Sequence, residues 1–181
     1  MMNVAEDPRA GLELTRYHSW TRIRDQSTGE HSCQIMRILL TVWPDCPRRM
    51  LVHAVTHDMC EMAGDFQYPY KRVVAGLKEA SDRAEHYVNS QMSDAFGVPP
   101  ATALSDYEHH VFKLVEFLEM WEHGLREMNM GNRYARIIAS RCILQASGML
   151  EEMSEMRGDA PDIRPAIQRY VTTRTKWEMQ E

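Results

Sequence analysis

The sequence predicts an all-α fold in a single domain, on three observations. Apolar residues recur at three- and four-residue spacing in five stretches: Ser32 to Trp43, Arg49 to Met62, Val73 to Phe96, Thr102 to Met128 and Tyr134 to Met153. The strict alternation of a half-buried strand is absent. Between the stretches stand Pro44 with Pro47, Gly64 to Pro69, Gly97 to Pro100, Gly131-Asn132 and Gly158 to Pro161, and connections this short pack each helix on its sequence neighbours. A chain of 181 residues suits one domain with a sizeable core. Residues 1–181 are therefore read as one unit, with 172–181 a trailing helix or a frayed end.

The elements carry different burdens. Before the first helix, Arg16-Tyr17-His18-Ser19-Trp20-Thr21-Arg22-Ile23-Arg24 gathers three arginines and three rings into nine residues. An arginine fork takes phosphate oxygens while neighbouring rings pack on a sugar or base. The first helix opens at Glu30-His31-Ser32, which puts an imidazole in its first turn. The second, with Leu51-Val52-His53-Ala54-Val55 as its apolar body, carries His57-Asp58 near its end, and Gly64 is read as its stop. Two adjacent side chains reach one ion only where a helix ends or breaks. The helix over Val73 to Phe96 has no such cluster. The fourth carries Lys113-Leu114-Val115-Glu116, and the fourteen methionines, Met149 and Met153 of the fifth among them, read as core or interface filler.

Composition excludes several classes. With 21 basic and 26 acidic residues the formal net charge is -5, which offers no electrostatic footprint for duplex nucleic acid and no polybasic membrane patch. The longest apolar runs fall far short of the roughly 20 residues needed to span a bilayer. No signal-like apolar stretch occurs in Met1 to Leu14, so the expectation is a cytoplasmic protein. Cys33, Cys46, Cys60 and Cys142 form no Cys-x-x-Cys pair and read as free thiols.

The chemistry concentrates on His31, His57, Asp58 and a carboxylate at 116. Neutral imidazole and ionised carboxylate are good ligands for divalent first-row cations. Asp58, Glu61 and Asp65 follow at spacings of three and four, which keep side chains on one helical face. Three carboxylates facing one way repel unless a positive charge sits among them. Lys71, after Tyr68-Pro69-Tyr70, brings one such charge and suits a phosphate.

Taken in order, Glu30-His31-Ser32, His57-Asp58-x-x-Glu61-x-x-Gly64-Asp65 and Pro69-x-Lys71 resemble the HD-domain phosphohydrolases, in the branch of the 5′-deoxynucleotidases. Arg16-Tyr17-His18-x-Trp20 resembles most closely the phage enzymes of that branch that hydrolyse dATP. The resemblance runs from about Arg16 to Asn132. It implies a compact helical HD fold, a divalent metal (Co, Mn, Zn, Mg or Ni), a second divalent ion near Glu61, and a homo-oligomer, dimer or hexamer, in the cytoplasm or the host cytoplasm. Two departures stand out. The last metal ligand of the family is an aspartate, where this chain has Glu116, with Asp106 in reserve. The Glu61 to Asp65 interval is also one residue short.

Carried over residue by residue, His31, His57, Asp58 and Glu116 hold an ion that lowers the pKa of a bound water and orients a phosphoryl oxygen. Glu61 is the general base or a contact to the second metal. Arg16, Lys71 and Gln26 hold phosphate oxygens. Tyr17 packs on the sugar and leaves no room for a 2′-hydroxyl, Ser19 and Trp20 border the substrate, and Asp65 takes the 3′-hydroxyl or the second metal. The implied reaction is hydrolysis of dATP to deoxyadenosine, with dADP and dAMP as further substrates. The alternatives are a broad 5′-deoxynucleotidase, a cyclic-nucleotide phosphodiesterase and an inactive nucleotide-sensing module. His53, His109, His110 and His123 read as structural or surface residues, and Trp43, Trp121 and Trp177 as core or interface.

Overall fold

Ser27 opens the first helix in a computed structural model of the chain: its hydroxyl accepts the Glu30 N–H at 3.1 Å, and α1 runs Thr28–Val42. The structure describes residues 13, 15–16, 21–58, 79–80, 83, 86–87, 90–91, 104–156, 158 and 160–178. These are helical apart from turns, connections and one isolated antiparallel bridge between Thr15 and Ser27. The expected all-α fold is what the described residues adopt.

On α1 the buried stripe is His31, Ile35, Ile38 and Val42, spaced four, three and four. The helix starts at Thr28, two residues before the expected opening at Glu30-His31-Ser32, because Ser27 is the cap and Glu30 is the first-turn acid that favours a helix N-terminus. Next, α2 covers Arg48–Thr56 and buries Met50 and Ala54. Here the expected extension to Met62 needs correction: α2 closes at Thr56 with His57 as its C-cap, whose N–H reaches the His53 carbonyl at 2.9 Å. Gly64 is therefore not the stop of α2. Of the stretch read as a helix over Val73 to Phe96, the described members, such as Glu79 and Arg83, are helical. The rest of it lies outside the described residues.

Central to the packing is α3, Asp106–Asn129, which contacts α1 and α2. Ser105 and Glu108 form a capping box, each side chain satisfying the other's backbone N–H. Glu108 also takes Arg49 of α2 through two bonds of 2.9 and 2.6 Å. Val111, Phe112, Leu114, Val115 and Leu118 are essentially without exposure. At the other end, Glu127 accepts the backbone N–H groups of Ile23 and Arg24 and the Asn132 amide at 2.7 to 2.9 Å, pinning the segment before α1 to the end of α3. The turn that follows places Gly131 at φ 99°, a left-handed conformation open to glycine.

The next helix, α4, spans Ala135–Met156 and lies along α3. A Cβ at Gly124 of α3 would stand 3.0 Å from the Ala139 Cβ and 3.3 Å from its backbone, so the two helices touch there with nothing between them. Finally α5, Arg164–Glu178, packs on α1. It starts eight residues before the tail expected at Thr172. Pro165 is its second residue, a first-turn position where proline is tolerated, and Ile163, Ile167 and Tyr170 are buried. Glu122 of α3, with its side chain fully enclosed, ties α1 and α5 together. It meets Arg37 at 2.5 Å, Arg174 at 2.6 Å and the Tyr170 hydroxyl. Among the described residues no helix is long and apolar enough to cross a membrane, and Cys33, Cys46 and Cys142 are free thiols.

Candidate metal centre

Three elements bring the histidines and carboxylates together. The apolar stripe of α1 carries His31 inward until it has no exposure. The end of α2 delivers His57 and Asp58, and the middle of α3 delivers Glu116. One ligand atom each from His31, His57 and Asp58 lie within 4.8 Å of one another. His31 Nε2 is 3.6 Å from Asp58 Oδ2, and His57 Nε2 is 3.3 Å from Asp58 Oδ1 and 3.5 Å from Glu116 Oε1. Donors bound to one ion at about 2.1 Å stand about 3.0 to 3.5 Å apart, so the spacing suits a single small divalent cation.

Hydrogen bonding selects which nitrogen faces the cluster. His57 Nδ1 donates to the Ala54 carbonyl at 3.0 Å, and His31 Nδ1 donates to Glu119 Oε2 at 2.6 Å. Each bond occupies Nδ1 with a proton and leaves Nε2 as the lone-pair nitrogen. The His31 Nε2 is buried and makes no hydrogen bond among the described residues. A buried lone pair of this kind, with a second imidazole and a carboxylate beside it, fits a metal ligand. Burial, with Arg16 next, lowers the His31 pKa well below its ordinary value. Burial, then His31 and Arg16, does the same for His57. Both rings are thus held neutral, the form that binds metals.

Arg16 sets its guanidinium on Asp58 Oδ2, and its backbone N–H donates to the Gln26 carbonyl at 2.7 Å beside the Thr15–Ser27 bridge. Gln26 is buried, and its amide donates to Glu119 Oε1 at 2.7 Å, so in this structure it orients the carboxylate behind His31. Asp106, the reserve ligand, is the first residue of α3, exposed in the turn where an acid favours the helix N-terminus. Ten residues separate it from Glu116, about 15 Å along the helix. Tyr17, Ser19, Trp20, Glu61, Asp65 and Lys71 lie outside the described residues.

The other histidines are placed as follows. His53 packs its ring on Phe112 with centroids 4.4 Å apart, and burial pushes its pKa down to about 4. His109, His110 and His123 lie within α3, and His110 Nε2 bonds the Met149 carbonyl at 2.7 Å.

Glu119 is the member of the centre that sequence reasoning passes over. It is one turn beyond Glu116, has no exposure, and has its pKa raised by burial against the opposing pull of Gln26 and Arg16. The available signal was the i, i+3 pair Glu116 and Glu119 on a helix whose neighbours Val115 and Leu118 are apolar. No protein-family model matches the chain, and no curated protein matches it either.

Proposed function

We propose that this chain is a metal-dependent phosphohydrolase of the HD-domain type, acting on 2′-deoxynucleotide phosphates. The convergence of His31, His57 and Asp58, with the buried His31 Nε2 turned into the cluster, is the observation that carries this reading. His31, His57, Asp58 and Glu116 would hold the cation, which when bound supplies an acidified water and charge neutralisation at phosphorus. The side chains do the remainder. Glu119 and Gln26 fix the His31 ring, and Arg16 presents a guanidinium at the edge of the cluster, suited to a non-bridging phosphate oxygen. The Arg16-Tyr17-His18 run favours dATP as the first substrate, cleaved by water to deoxyadenosine and triphosphate. Glu61, Asp65 and Lys71 are proposed to take the base and phosphate-binding roles, and Tyr17, Ser19 and Trp20 to border the sugar and base. A homo-oligomer in the cytoplasm, with no duplex nucleic acid as partner, completes the proposal.

Turnover of the common dNMPs and dNTPs, their ribo counterparts and cyclic nucleotides is the test, run with a series of divalent metals and reading phosphate against triphosphate. Metal-dependent release of deoxynucleoside, suppressed by a 2′-hydroxyl, is the expected result. Absence of turnover on every substrate with every metal overturns the reading, and turnover of cyclic nucleotides alone replaces it with a phosphodiesterase.

A further inference from the structure

On α4 the buried residues Ala135, Ala139, Cys142 and Ala146 form one stripe. At about 100° per residue, Ile137 and Leu144 point almost directly away from that stripe, and their exposures are 55% and 70%. Isolated apolar residues on a surface are ordinary, but these two belong to a pattern. Residues 137, 141, 144, 148, 151 and 155 alternate spacings of four and three, the seam of a helix that meets another helix. The seam reads Ile137, Arg141, Leu144, Gly148, Glu151, Glu155, and all six are exposed. A Cβ placed on Gly148 would meet nothing within 4 Å, so the seam has an open notch one turn from its most exposed leucine.

Reversed, the seam matches itself at its four inner positions, while Ile137 falls opposite Glu155 at each end. Placed antiparallel about position 146, the seam sets Leu144 against Gly148 of a second copy, and Arg141 against the second copy's Glu151. Within one chain Arg141 and Glu151 are about 15 Å apart along the helix and do not reach each other. Neither takes part in an ion pair among the described residues. We propose that α4 is the contact between two copies of this chain, packed antiparallel around a two-fold axis beside position 146. Two leucines then fill two glycine notches, and two Arg141–Glu151 pairs flank them, each contact occurring twice as a two-fold interface requires.

Sedimentation equilibrium of the full chain over a micromolar concentration range tests this. Unmodified protein is expected as a monomer–dimer equilibrium, and Leu144→Glu as a monomer at the same concentrations, with an unchanged circular dichroism spectrum because the position faces solvent. Arg141→Glu and Glu151→Arg each set like charges opposite one another and are expected to be monomeric alone. Mixed together they are expected to form a one-to-one heterodimer, since residues 141 and 151 then face opposite charges in both pairs. A monomeric unmodified protein overturns the proposal. So does a dimer that Leu144→Glu leaves intact, or two charge-reversed proteins that fail to associate on mixing.

Discussion

His31 hands its Nδ1–H to Glu119 across 2.6 Å, while the Gln26 amide takes the other oxygen of the same carboxylate at 2.7 Å. A buried carboxylate behind a metal-binding imidazole fixes the ring's tautomer and orientation and raises its basicity. Here that carboxylate is itself fixed, so the direction of the His31 Nε2 follows from Gln26 before α1 and Glu119 on α3 together.

Weakening that arrangement should lower metal affinity with the ligands themselves intact. Glu119→Gln is expected to reduce Mn²⁺ affinity by about tenfold or more, the usual scale for such partners, in calorimetric titration. Unchanged affinity would show that Glu119 only fills space.

The ligand set makes a second, graded expectation. His57→Ala and Asp58→Ala should each abolish turnover and lower bound metal while keeping helical content. Glu116→Gln, beside His57 Nε2 at 3.5 Å, should weaken metal binding, and Asp106→Asn, at the start of α3, should not. The opposite order would transfer the fourth ligand to Asp106.

Glu122 should matter for stability and not for metal. It is fully enclosed, with Arg37, Arg174 and, at 3.6 Å, Arg126 around it. Removing one partner of a buried ion pair costs more than the pair contributes, but these arginines are partly exposed and water offsets some of the loss. Glu122→Gln is therefore expected to lose about 2 kcal/mol in urea unfolding, and Tyr170→Phe about 1 kcal/mol through one hydrogen bond. Metal titration of either variant should match the unmodified protein.

Glu127 predicts an acid dependence with a definite sign. Burial pushes its pKa up, but the bonds from Asn132, Ile23 and Arg24 outweigh it and hold the carboxyl below its ordinary 4.5, with His123 nearby adding to the pull. Between the native value and the ordinary one, the unfolded chain binds more protons than the native chain. The stabilisation is therefore complete above about pH 4.5 and fades as the pH falls through the lowered native value. In urea melts, the gap between the unmodified protein and Glu127→Gln should be open at neutral pH and narrow in acid below about pH 4.5. A gap that is constant across pH would remove the carboxylate's charge from the account.

Much of this was legible in the sequence where residue type and periodicity agree. The α1 stripe and the bodies of α3 and α4 announce themselves by spacing, and His31, His57 and Asp58 stand out because such groups rarely sit on apolar helices. The start of α5 did not, since the expected break from Gly158 to Pro161 stands just before it and few apolar residues mark its inner face. Glu119, Glu122 and Glu127 were hidden for a different reason. A glutamate on a helix reads as solvated, and each of these is buried only because partners far away in the chain come to meet it: His31 lies 88 positions from Glu119, and Ile23 lies 104 from Glu127.

The touching point of Gly124 and Ala139 limits how this sequence can drift. Their close approach leaves room for one methyl group shared between the two positions. Enlarging either side alone would force the helices apart by a fraction of an ångström and tilt the Glu116 and Glu119 carboxylates away from the histidines of the neighbouring helices. An exchange that moves the methyl across, Gly124→Ala with Ala139→Gly, conserves the volume. Descendants that keep the same helix crossing should therefore vary at these two positions together or at neither.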